Sequence, residues 1–480
     1  MAHHEQAAGH YAARMNPVSS PSGVRGRALL VVVALLAAFA STSSMAADEA
    51  AYTPRQPLAK LDLKDGDCIV FLGDSITHQC LYTQYLEDYF YTRFPNMRLR
   101  LHNAGVGGAR AWDALWRFDQ DIASYKPKYV TVLLGMNDGH YAEYFDDVFN
   151  DYQKNMTKLL DEIQKTGATA ILMTPTMFDA RAKRMQKPGG FMGPKAVTFY
   201  NATLAYYGAW LRDTAYERGL GFVDMWSPLN DITLRQRQKD PKFTMIPDSV
   251  HPDASGHVIM AVAVVDDLNL PRVVSAASLK LRDGKWSASG TSAEVTDVTG
   301  TANSVTFTSS EQALPWVLPA EAQLGVTLSN LGAAFGRETI QVSGLPMGEY
   351  SIQIDGQEVA KSTADELAAG LELQSNSKTP QYQQAAKVAE LNKKRNEGPV
   401  KRLRNEWLNF QSVKFLAAQV KKNPGDEAEK KRLADAEKKM PGMDDRVKAA
   451  NADARKIEDE IFQSNQPRPH KFTIQPATKE

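Results

Sequence analysis

The sequence predicts an α/β protein whose central region holds a parallel sheet with helices on both faces. Between residues 62 and 270, short apolar runs typical of buried strands alternate with longer helical stretches. Chains that alternate in this way form parallel strands joined by crossover helices. At 480 residues the chain is also too long for one hydrophobic core, so two or three domains are expected.

The predicted strands and helices follow each other in a regular order. Strands are predicted at 68–72, 99–102, 129–134, 168–173 and 221–225, and helices at 81–94, 109–122, 145–165 and 197–218. In open parallel sheets, ligands bind beyond the carboxyl ends of the strands. We therefore expect the reactive groups among the residues that directly follow each strand.

The first 46 residues have the features of an export signal rather than of a folded domain. Arg25 and Arg27 precede an apolar run over 28–40, and the small residues around Met45 form a cleavage site that ends at Ala46. Thirteen apolar residues are too few for a membrane span, which needs about 20. The sequence therefore predicts an exported protein, periplasmic or extracellular, with an uncleaved anchor as the alternative.

The chain changes character after residue 270. Short alternating runs rich in Thr, Ser, Val and Gly predict a small antiparallel β module over 271–359. Residues 360–465 are rich in Ala, Lys and Glu and predict a charged helical insertion. This insertion is either a solvated helical hairpin, which we favour, or a polyanion-binding arm. A last strand within 466–480 is expected to return to the β module.

The overall charge and the cysteines argue against several classes of protein. The chain has 56 basic and 56 acidic residues, so no nucleic-acid partner is expected. No stable membrane insertion is expected once the signal is removed. Cys68 and Cys80 are expected to remain free thiols, because the strand that begins at Cys68 rises faster per residue than the following helix returns.

Ser75 is the first candidate for chemistry. The segment 71–77 passes from a buried strand through Gly73 and Asp74 into a helix, so Ser75 projects from the strand end. Its backbone N–H is then free at a helix N-terminus, where it stabilises an alkoxide or an oxyanion. An ordinary helix-capping serine gives the same local pattern, so further residues must decide between the two.

A nucleophilic serine needs a base, and His251 stands out among the six histidines that follow the signal. Asp248 precedes it by three residues, which lets the carboxylate bind one ring nitrogen while the other faces a serine. Pro252 ends this turn before a predicted helix. Taken alone, an aspartate three residues before a histidine is more often a capping or surface pair.

Two further strand ends offer donors for a tetrahedral oxyanion. Residues 103–108 follow the second strand and include Gly107 and Gly108, whose backbone N–H groups can approach a ligand closely. Asn137 follows the third strand and offers its side-chain amide. Both segments are also typical of ordinary glycine-rich turns. Gly105 and Gly107 match the first two glycines of the Gly-x-Gly-x-x-Gly loop that binds dinucleotides. Arg110 occupies the position of the third glycine, so this type of loop is excluded.

Together these segments resemble the four blocks of the SGNH hydrolase superfamily, also called GDSL esterases and lipases. The blocks lie at 73–75, 103–108, 135–138 and 248–251, in the order of the superfamily. The resemblance implies a flavodoxin-like three-layer α/β/α sandwich over residues 47–270. It also implies an acyl-enzyme mechanism that uses no metal and no cofactor. The α/β-hydrolases carry the motif Gly-x-Ser-x-Gly around their nucleophile, whereas here Thr77 occupies the position of the last glycine. This difference separates the chain from that class.

The resemblance also implies roles for individual residues. Ser75 is expected to be the nucleophile, His251 the base and Asp248 its orienting acid. The oxyanion hole is expected to consist of the N–H groups of Ser75 and Gly108 and the side chain of Asn137, with Gly107 as the competing choice. The residues expected to line the pocket or brace its loops are Asp74, His78, Gly107, Asp138 and His140.

These features predict a secreted serine esterase that hydrolyses O-acyl esters. An exported enzyme with an appended β module most resembles the carbohydrate O-acetylesterases, so the expected substrate is an acetylated carbohydrate or another small ester. A lipid-directed acylhydrolase or thioesterase is the first alternative. A non-catalytic carbohydrate-binding protein of the cell envelope is the second, and the intact blocks argue against it.

Overall fold

The computed structural model describes residues 54–186 and 193–478. The expected signal peptide, with its cleavage site near Ala46, lies outside the described residues. Within these two ranges, no helix combines the length and the apolar character needed to cross a membrane.

A five-stranded sheet runs through residues 68–223. Its strands are β1 (Cys68–Gly73), β2 (Arg100–Gly105), β3 (Tyr129–Leu133), β4 (Thr169–Met173) and β5 (Gly221–Val223). They lie in the order β2-β1-β3-β4-β5, and all neighbouring pairs are parallel. The direction in which strands are added reverses between β1 and β3, and such a reversal opens a crevice beyond the carboxyl ends of these strands.

Helices cover both faces of this sheet. They are α1 (Ser75–His78), α2 (Leu81–Arg93), α3 (Ala111–Ala114), α4 (Phe118–Asp121), α5 (Asp146–Lys165), α6 (Ala180–Met185), α7 (Ala196–Arg218), α8 (Trp226–Arg237) and α9 (Ala254–Asp267). Side chains alternate along β1, so Ile69 and Phe71 join one hydrophobic core and Val70 and Leu72 join the other. The predicted three-layer α/β/α sandwich is confirmed.

One predicted helix of the sandwich is wrong. The pattern predicts a continuous helix over 109–122, but α3 and α4 are separated by a 3-10 turn at Leu115–Arg117. Arg117 leaves the helical conformation, with φ −114° and ψ 6°. Its buried guanidinium donates to the Ala104 carbonyl at 2.9 Å and to Asp121 Oδ2 at 2.7 Å. These contacts outweigh the modest preference of the segment for a regular helix.

Two smaller sheets follow the sandwich. Their strands are β6 (Val273–Arg282), β7 (Lys285–Thr291), β8 (Ala293–Gly300), β9 (Val305–Glu311), β10 (Arg337–Ser343), β11 (Glu349–Ile354), β12 (Gln357–Thr363), β13 (Leu371–Glu372) and β14 (His470–Pro476). One sheet has the order β13-β10-β6-β7 and the other β12-β11-β14-β9-β8. β10 pairs in parallel with β6, so the expectation of a purely antiparallel module is wrong. The long connection between these two strands makes parallel pairing possible.

Helices fill much of the remaining C-terminal sequence. They are α10 (Gln323–Ser329), α11 (Leu331–Phe335), α12 (Ala364–Ala369), α13 (Pro380–Arg395), α14 (Lys401–Lys422), α15 (Glu427–Glu437) and α16 (Met443–Ser464). A π-helical turn at Asn396–Val400 joins α13 to α14. We call α13 to α16 with this turn the helical arm. β14 follows the arm and lies between β9 and β11, antiparallel to both.

The helical arm packs against the sandwich instead of standing in solvent. Val388 of α13 and Ile461 of α16 belong to the hydrophobic core of one face of the sheet, and Trp407 of α14 belongs to the core of the other. α15 buries no residue. The interpretation of this segment as a solvated hairpin is therefore wrong for three of the four helices of the helical arm, because they carry apolar faces that the high charge of the segment obscures.

Both cysteines are buried free thiols. Burial raises the pKa of Cys68 to about 11 and that of Cys80 to about 12. Because the thiolate is the reactive form, neither side chain is a nucleophile at neutral pH.

Candidate active site

Ser75 lies where β1 turns into α1. The turn is tight, and a Cβ at Gly73 would overlap Oγ1 of Thr77. Asp74 caps the helix, since its Oδ1 accepts a hydrogen bond from the Ile76 N–H at 2.9 Å. Asp74 therefore takes the capping role that the sequence left open for Ser75, and the Ser75 hydroxyl is available to another partner.

His251 provides that partner. Its Nε2 lies 2.7 Å from Ser75 Oγ, and its Nδ1 lies 2.7 Å from Asp248 Oδ2. The other carboxylate oxygen, Asp248 Oδ1, accepts the N–H groups of Val250 at 3.0 Å and of His251 at 2.7 Å. Although Ser75 and His251 are 176 residues apart in sequence, the fold places serine, imidazole and carboxylate in one hydrogen-bonded line.

The pKa values of Asp248 and His251 suit His251 to act as a general base. Burial alone would raise the pKa of Asp248, but hydrogen bonds from the His251 ring and from backbone N–H groups outweigh burial and hold this pKa at about 2. The hydrogen bond with Asp248 raises the pKa of His251, against the opposing effect of partial burial. A raised pKa makes the neutral imidazole a stronger acceptor for the Ser75 proton.

The loop after β2 forms a turn next to this line. The Val106 N–H donates to the Gly73 carbonyl at 3.1 Å, and the Ala109 N–H donates to the Val106 carbonyl at 3.1 Å. Gly108 has a φ of +73°, which favours glycine, whereas the φ of Gly107 does not. In the described part of the chain, neither glycine N–H has an acceptor. Both N–H groups are therefore available to a ligand oxygen.

Asn137 follows β3, and its amide is oriented from both ends. Nδ2 donates to the Ala109 carbonyl at 3.1 Å and to Asp74 Oδ2 at 3.4 Å. Oδ1 accepts the Tyr141 hydroxyl at 2.9 Å. These partners fix which end of the amide carries the donor. Asn137 thus ties the end of β3 to the loops that follow β1 and β2.

Asp74 and Asp138 brace the loops around Ser75. Asp138 Oδ1 accepts the Ala111 N–H at 2.9 Å and so joins the end of β3 to α3. Burial raises the pKa of Asp74 to about 7 and that of Asp138 to about 6. Among the described residues, neither carboxylate forms a hydrogen bond with Ser75 or His251, so both act as structural partners of backbone N–H groups.

The two histidines expected to line the pocket have different surroundings. His78 lies in α1 beside the Gly105 carbonyl and the Asn405 side chain, and burial lowers its pKa to about 4. His140 is exposed, and its Nε2 lies 3.2 Å from Arg110 Nη1. Desolvation, followed by the charge of Arg110, lowers the pKa of His140. Direct contact of either ring with a substrate stays a prediction.

Two contributions to the site were missed in the sequence. Tyr141 lies four residues after Asn137 and donates its hydroxyl to the Asn137 side chain. Its closeness in sequence to a predicted block is the signal that could have identified it. The other contribution comes from α14, where Gln411 Nε2 lies 3.5 Å from the Gly107 carbonyl oxygen. The Leu408 Cδ1 atom lies 3.6 Å from the position of a Cβ at Gly107. Gln411 and Gly107 are 304 residues apart, so no local pattern joins them.

Three comparisons with known proteins agree with this architecture. The GDSL-like Lipase/Acylhydrolase family model matches residues 71–259. An acetylxylan esterase of Geobacillus stearothermophilus is 23% identical over 244 residues, which cover 45% of this chain and 100% of that enzyme. The uncharacterized lipoprotein YqeF of Bacillus subtilis (strain 168) is 36% identical over 78 residues, which cover 16% of this chain and 32% of the lipoprotein.

A solved structure matches most of the chain. It is described as a gut microbial diltiazem-metabolizing enzyme and is 25% identical, with a TM-score of 0.71. The match covers 88% of this chain and 100% of that chain. A match of this extent includes the region beyond the sandwich, so the sandwich and the C-terminal elements occur together in another protein.

Proposed function

We propose that this chain, a carboxylic-ester hydrolase whose residues 71–259 match the GDSL-like Lipase/Acylhydrolase family model, removes acetyl groups from O-acetylated carbohydrates. The relative named acetylxylan esterase supports the choice of substrate, because it aligns over its whole length. The similarity therefore extends over a complete enzyme and is not limited to a motif.

Ser75 attacks the ester carbonyl in this proposal while His251 accepts its proton. The observation that carries the proposal is the 2.7 Å distance between Ser75 Oγ and His251 Nε2. Asp248 holds the proton on Nδ1 and stabilises the imidazolium that forms. The imidazolium then protonates the departing alcohol. A water molecule activated by the same imidazole hydrolyses the acyl-enzyme.

The negative charge on the tetrahedral oxygen requires preorganised donors. We assign this task to the N–H groups of Ser75 and Gly108 and to the Nδ2 group of Asn137. The unpaired glycine N–H groups support the assignment, and an oxyanion can take the Asn137 Nδ2 hydrogen that otherwise makes the long 3.4 Å contact with Asp74 Oδ2. Gly107 remains the competing donor, because its N–H is also without an acceptor in the described chain.

The decisive experiment measures acetate release from a panel of acetylated polysaccharides that includes acetylated xylan. Ser75→Ala is expected to lose at least about 10³-fold in turnover, because no other group replaces the nucleophile. The matched control is Ser124→Ala, since the exposed Ser124 hydroxyl donates to the backbone carbonyl of Gln120 at 2.7 Å. Retention of acetate release by Ser75→Ala would exclude the proposed mechanism.

A lipid-directed acylhydrolase or thioesterase is the second candidate, because the family description includes lipases. The two candidates differ in the acyl group that they prefer. A series of nitrophenyl esters of increasing chain length separates them. Highest activity on the acetate ester supports carbohydrate deacetylation, whereas a maximum above about eight carbons supports the lipid-directed alternative.

We also propose export, with cleavage near Ala46, and a division of the mature chain into three parts. The parts are residues 47–270 for catalysis, 271–359 with 466–480 for the β module, and 360–465 for the helical insertion. The position of β14 between β9 and β11 supports the return of the chain to the module. β12 continues to Thr363, so the strands extend slightly past the proposed boundary. Cell fractionation and N-terminal sequencing of the mature protein test export.

A further inference from the structure

The helical arm reaches the proposed active site through one face of α14. Gln411 is 7% exposed, and its Nε2 donates to the Gly107 carbonyl at 3.5 Å, the long end of the hydrogen-bond range. A carbonyl oxygen only accepts, so the NH₂ end of the amide is the end that can face it favourably. In the described part of the chain, Gln411 Oε1 has no partner. The contact with Gly107 therefore determines how this buried amide is oriented.

This contact acts on a peptide group of the glycine turn. The Gly107 carbonyl and the Gly108 N–H belong to the same peptide unit, and in a trans unit they point in opposite directions. Because the carbonyl faces α14, the Gly108 N–H points away from α14. The φ of +73° at Gly108, the third residue of the turn over 106–109, is typical of a type II turn. Glycine also permits a type I turn, in which the Gly107–Gly108 peptide group is rotated. A donor on the carbonyl holds the peptide in one of these two orientations.

Buried charges hold α14 against this loop. Arg404 donates from Nη1 and Nη2 to the two carboxylate oxygens of Asp121, at 2.9 and 2.6 Å. Asp121 also accepts from Arg117, which donates to the Ala104 carbonyl just before the glycine turn. These three charged side chains are at most 1% exposed. Gln411 lies about two helical turns beyond Arg404, so its distance from the loop is set by this cluster.

We propose that Gln411 is a positioning residue that holds the Gly107–Gly108 peptide with the Gly108 N–H directed at the oxyanion of the acyl-transfer transition state. The inference rests on the proposed serine esterase function. It gives the helical arm, which lies outside the segment matched by the family model, a part in catalysis. Gln411 acts through the peptide and does not itself contact the ester.

The first test is Gln411→Met, which keeps the length of the side chain and removes the donor. We expect kcat for nitrophenyl acetate to fall about tenfold to 100-fold with KM unchanged, less than the 10²–10³-fold loss on deleting a donor outright. The affinity for a phenylboronic acid, which forms a tetrahedral adduct with the serine, should fall by the same factor. Gln419→Met, the same substitution further along α14, is the matched control and should change neither value.

The second test is Gln411→Glu, which separates positioning from a general loss of structure. A protonated carboxyl group can donate to the Gly107 carbonyl, whereas an ionised one cannot. The kcat of this variant relative to wild type should therefore rise as the pH is lowered. All values are expressed per active site, counted from the burst of nitrophenol, so poorly folded protein does not enter them.

The outcomes distinguish this inference from the proposed function. A Gln411→Met enzyme with wild-type kcat and boronate affinity per active site would overturn the role of Gln411. So would a ratio of Gln411→Glu to wild-type kcat that does not change with pH. Full activity of Ser75→Ala would instead overturn the serine mechanism, whatever the Gln411 variants do.

Discussion

Replacing Asp248 with asparagine is a sharp test of the proposed roles of Ser75, His251 and Asp248. The structure predicts which end of the new amide faces His251. Asp248 Oδ1 accepts two backbone N–H groups, those of Val250 and His251, at 3.0 and 2.7 Å. In Asp248→Asn these donors require the amide oxygen at the Oδ1 position. The NH₂ group then takes the Oδ2 position and faces His251 Nδ1, where the native carboxylate accepts at 2.7 Å.

The reversed donor traps the imidazole in the wrong tautomer. With NH₂ opposite Nδ1, this nitrogen must accept, so the ring proton moves to Nε2. Nε2 lies 2.7 Å from Ser75 Oγ and can no longer take its proton. The same substitution in the catalytic triad of a serine protease of a different fold lowers kcat by about 10⁴, which corresponds to about 5 kcal/mol of transition-state stabilisation. We expect a loss of this order in kcat/KM.

The pH profile should change with a defined sign. Only neutral His251 accepts the Ser75 proton, so kcat/KM rises as the pH passes upward through the His251 pKa. The hydrogen bond with Asp248 raises the His251 pKa in the native enzyme, so the rise lies at higher pH than it would for a histidine without this partner. In Asp248→Asn the raising effect is lost while burial continues to lower the pKa. The rise should therefore shift to lower pH.

The assay is kcat/KM on nitrophenyl acetate across the acid-to-neutral range. Asp240→Asn is the matched control, because Asp240 is exposed and its carboxylate accepts the nearby Lys242 backbone N–H at 2.9 Å. It should retain the native rate and profile. If Asp248→Asn keeps kcat/KM within tenfold of wild type, or rises at the same pH, the tautomer argument is refuted.

Three further predictions concern the oxyanion donors and the buried charges. Asn137→Ala should lower kcat on nitrophenyl acetate about 10²–10³-fold, and near-native turnover would exclude Asn137 as a donor. Gly108→Ala should lower kcat at least about tenfold because its positive φ strains any other residue, whereas Gly107→Ala should stay close to wild type; the reverse order would favour Gly107 as the donor. Asp121→Asn should destabilise the fold by about 3–5 kcal/mol in urea titrations because it leaves two buried guanidinium groups without a counter-ion. Exposed Asp119→Asn is its control, and equal stability of the two variants would contradict the argument.

The segments around the site could be predicted because each is short and locally marked. A buried strand, a turn residue and a helix start identify Ser75, and a three-residue spacing links Asp248 to His251. Parallel strands bring their carboxyl ends to one edge, so residues far apart in sequence were expected to meet there. The structure places these three side chains in contact, and their catalytic roles stay predictions until the variants are measured.

The remaining features depend on contacts that a local pattern does not contain. The break in the helix over 109–122 follows from the bond between Arg117 and a strand carbonyl. The parallel pairing of β6 with β10 depends on strands joined by a long connection. The charge of the helical arm suggested a solvated surface, because Arg395 and Arg404 cannot be recognised in sequence as buried cations with partners in the sandwich.

Those partners also explain why point substitutions are needed to test the helical arm. Arg395 donates to the Leu101 carbonyl of β2, the edge strand of the sheet, and to buried Glu87, which also accepts from Asn396. A chain cut before α13 would leave that strand edge uncovered and the Glu87 carboxylate buried without either partner. Removing one partner from a buried ion pair costs about 3–5 kcal/mol, a large part of the stability of a typical domain. Inactivity of a truncated protein would therefore report unfolding, whereas Gln411→Met leaves every one of these contacts in place and changes only the donor that faces the glycine turn.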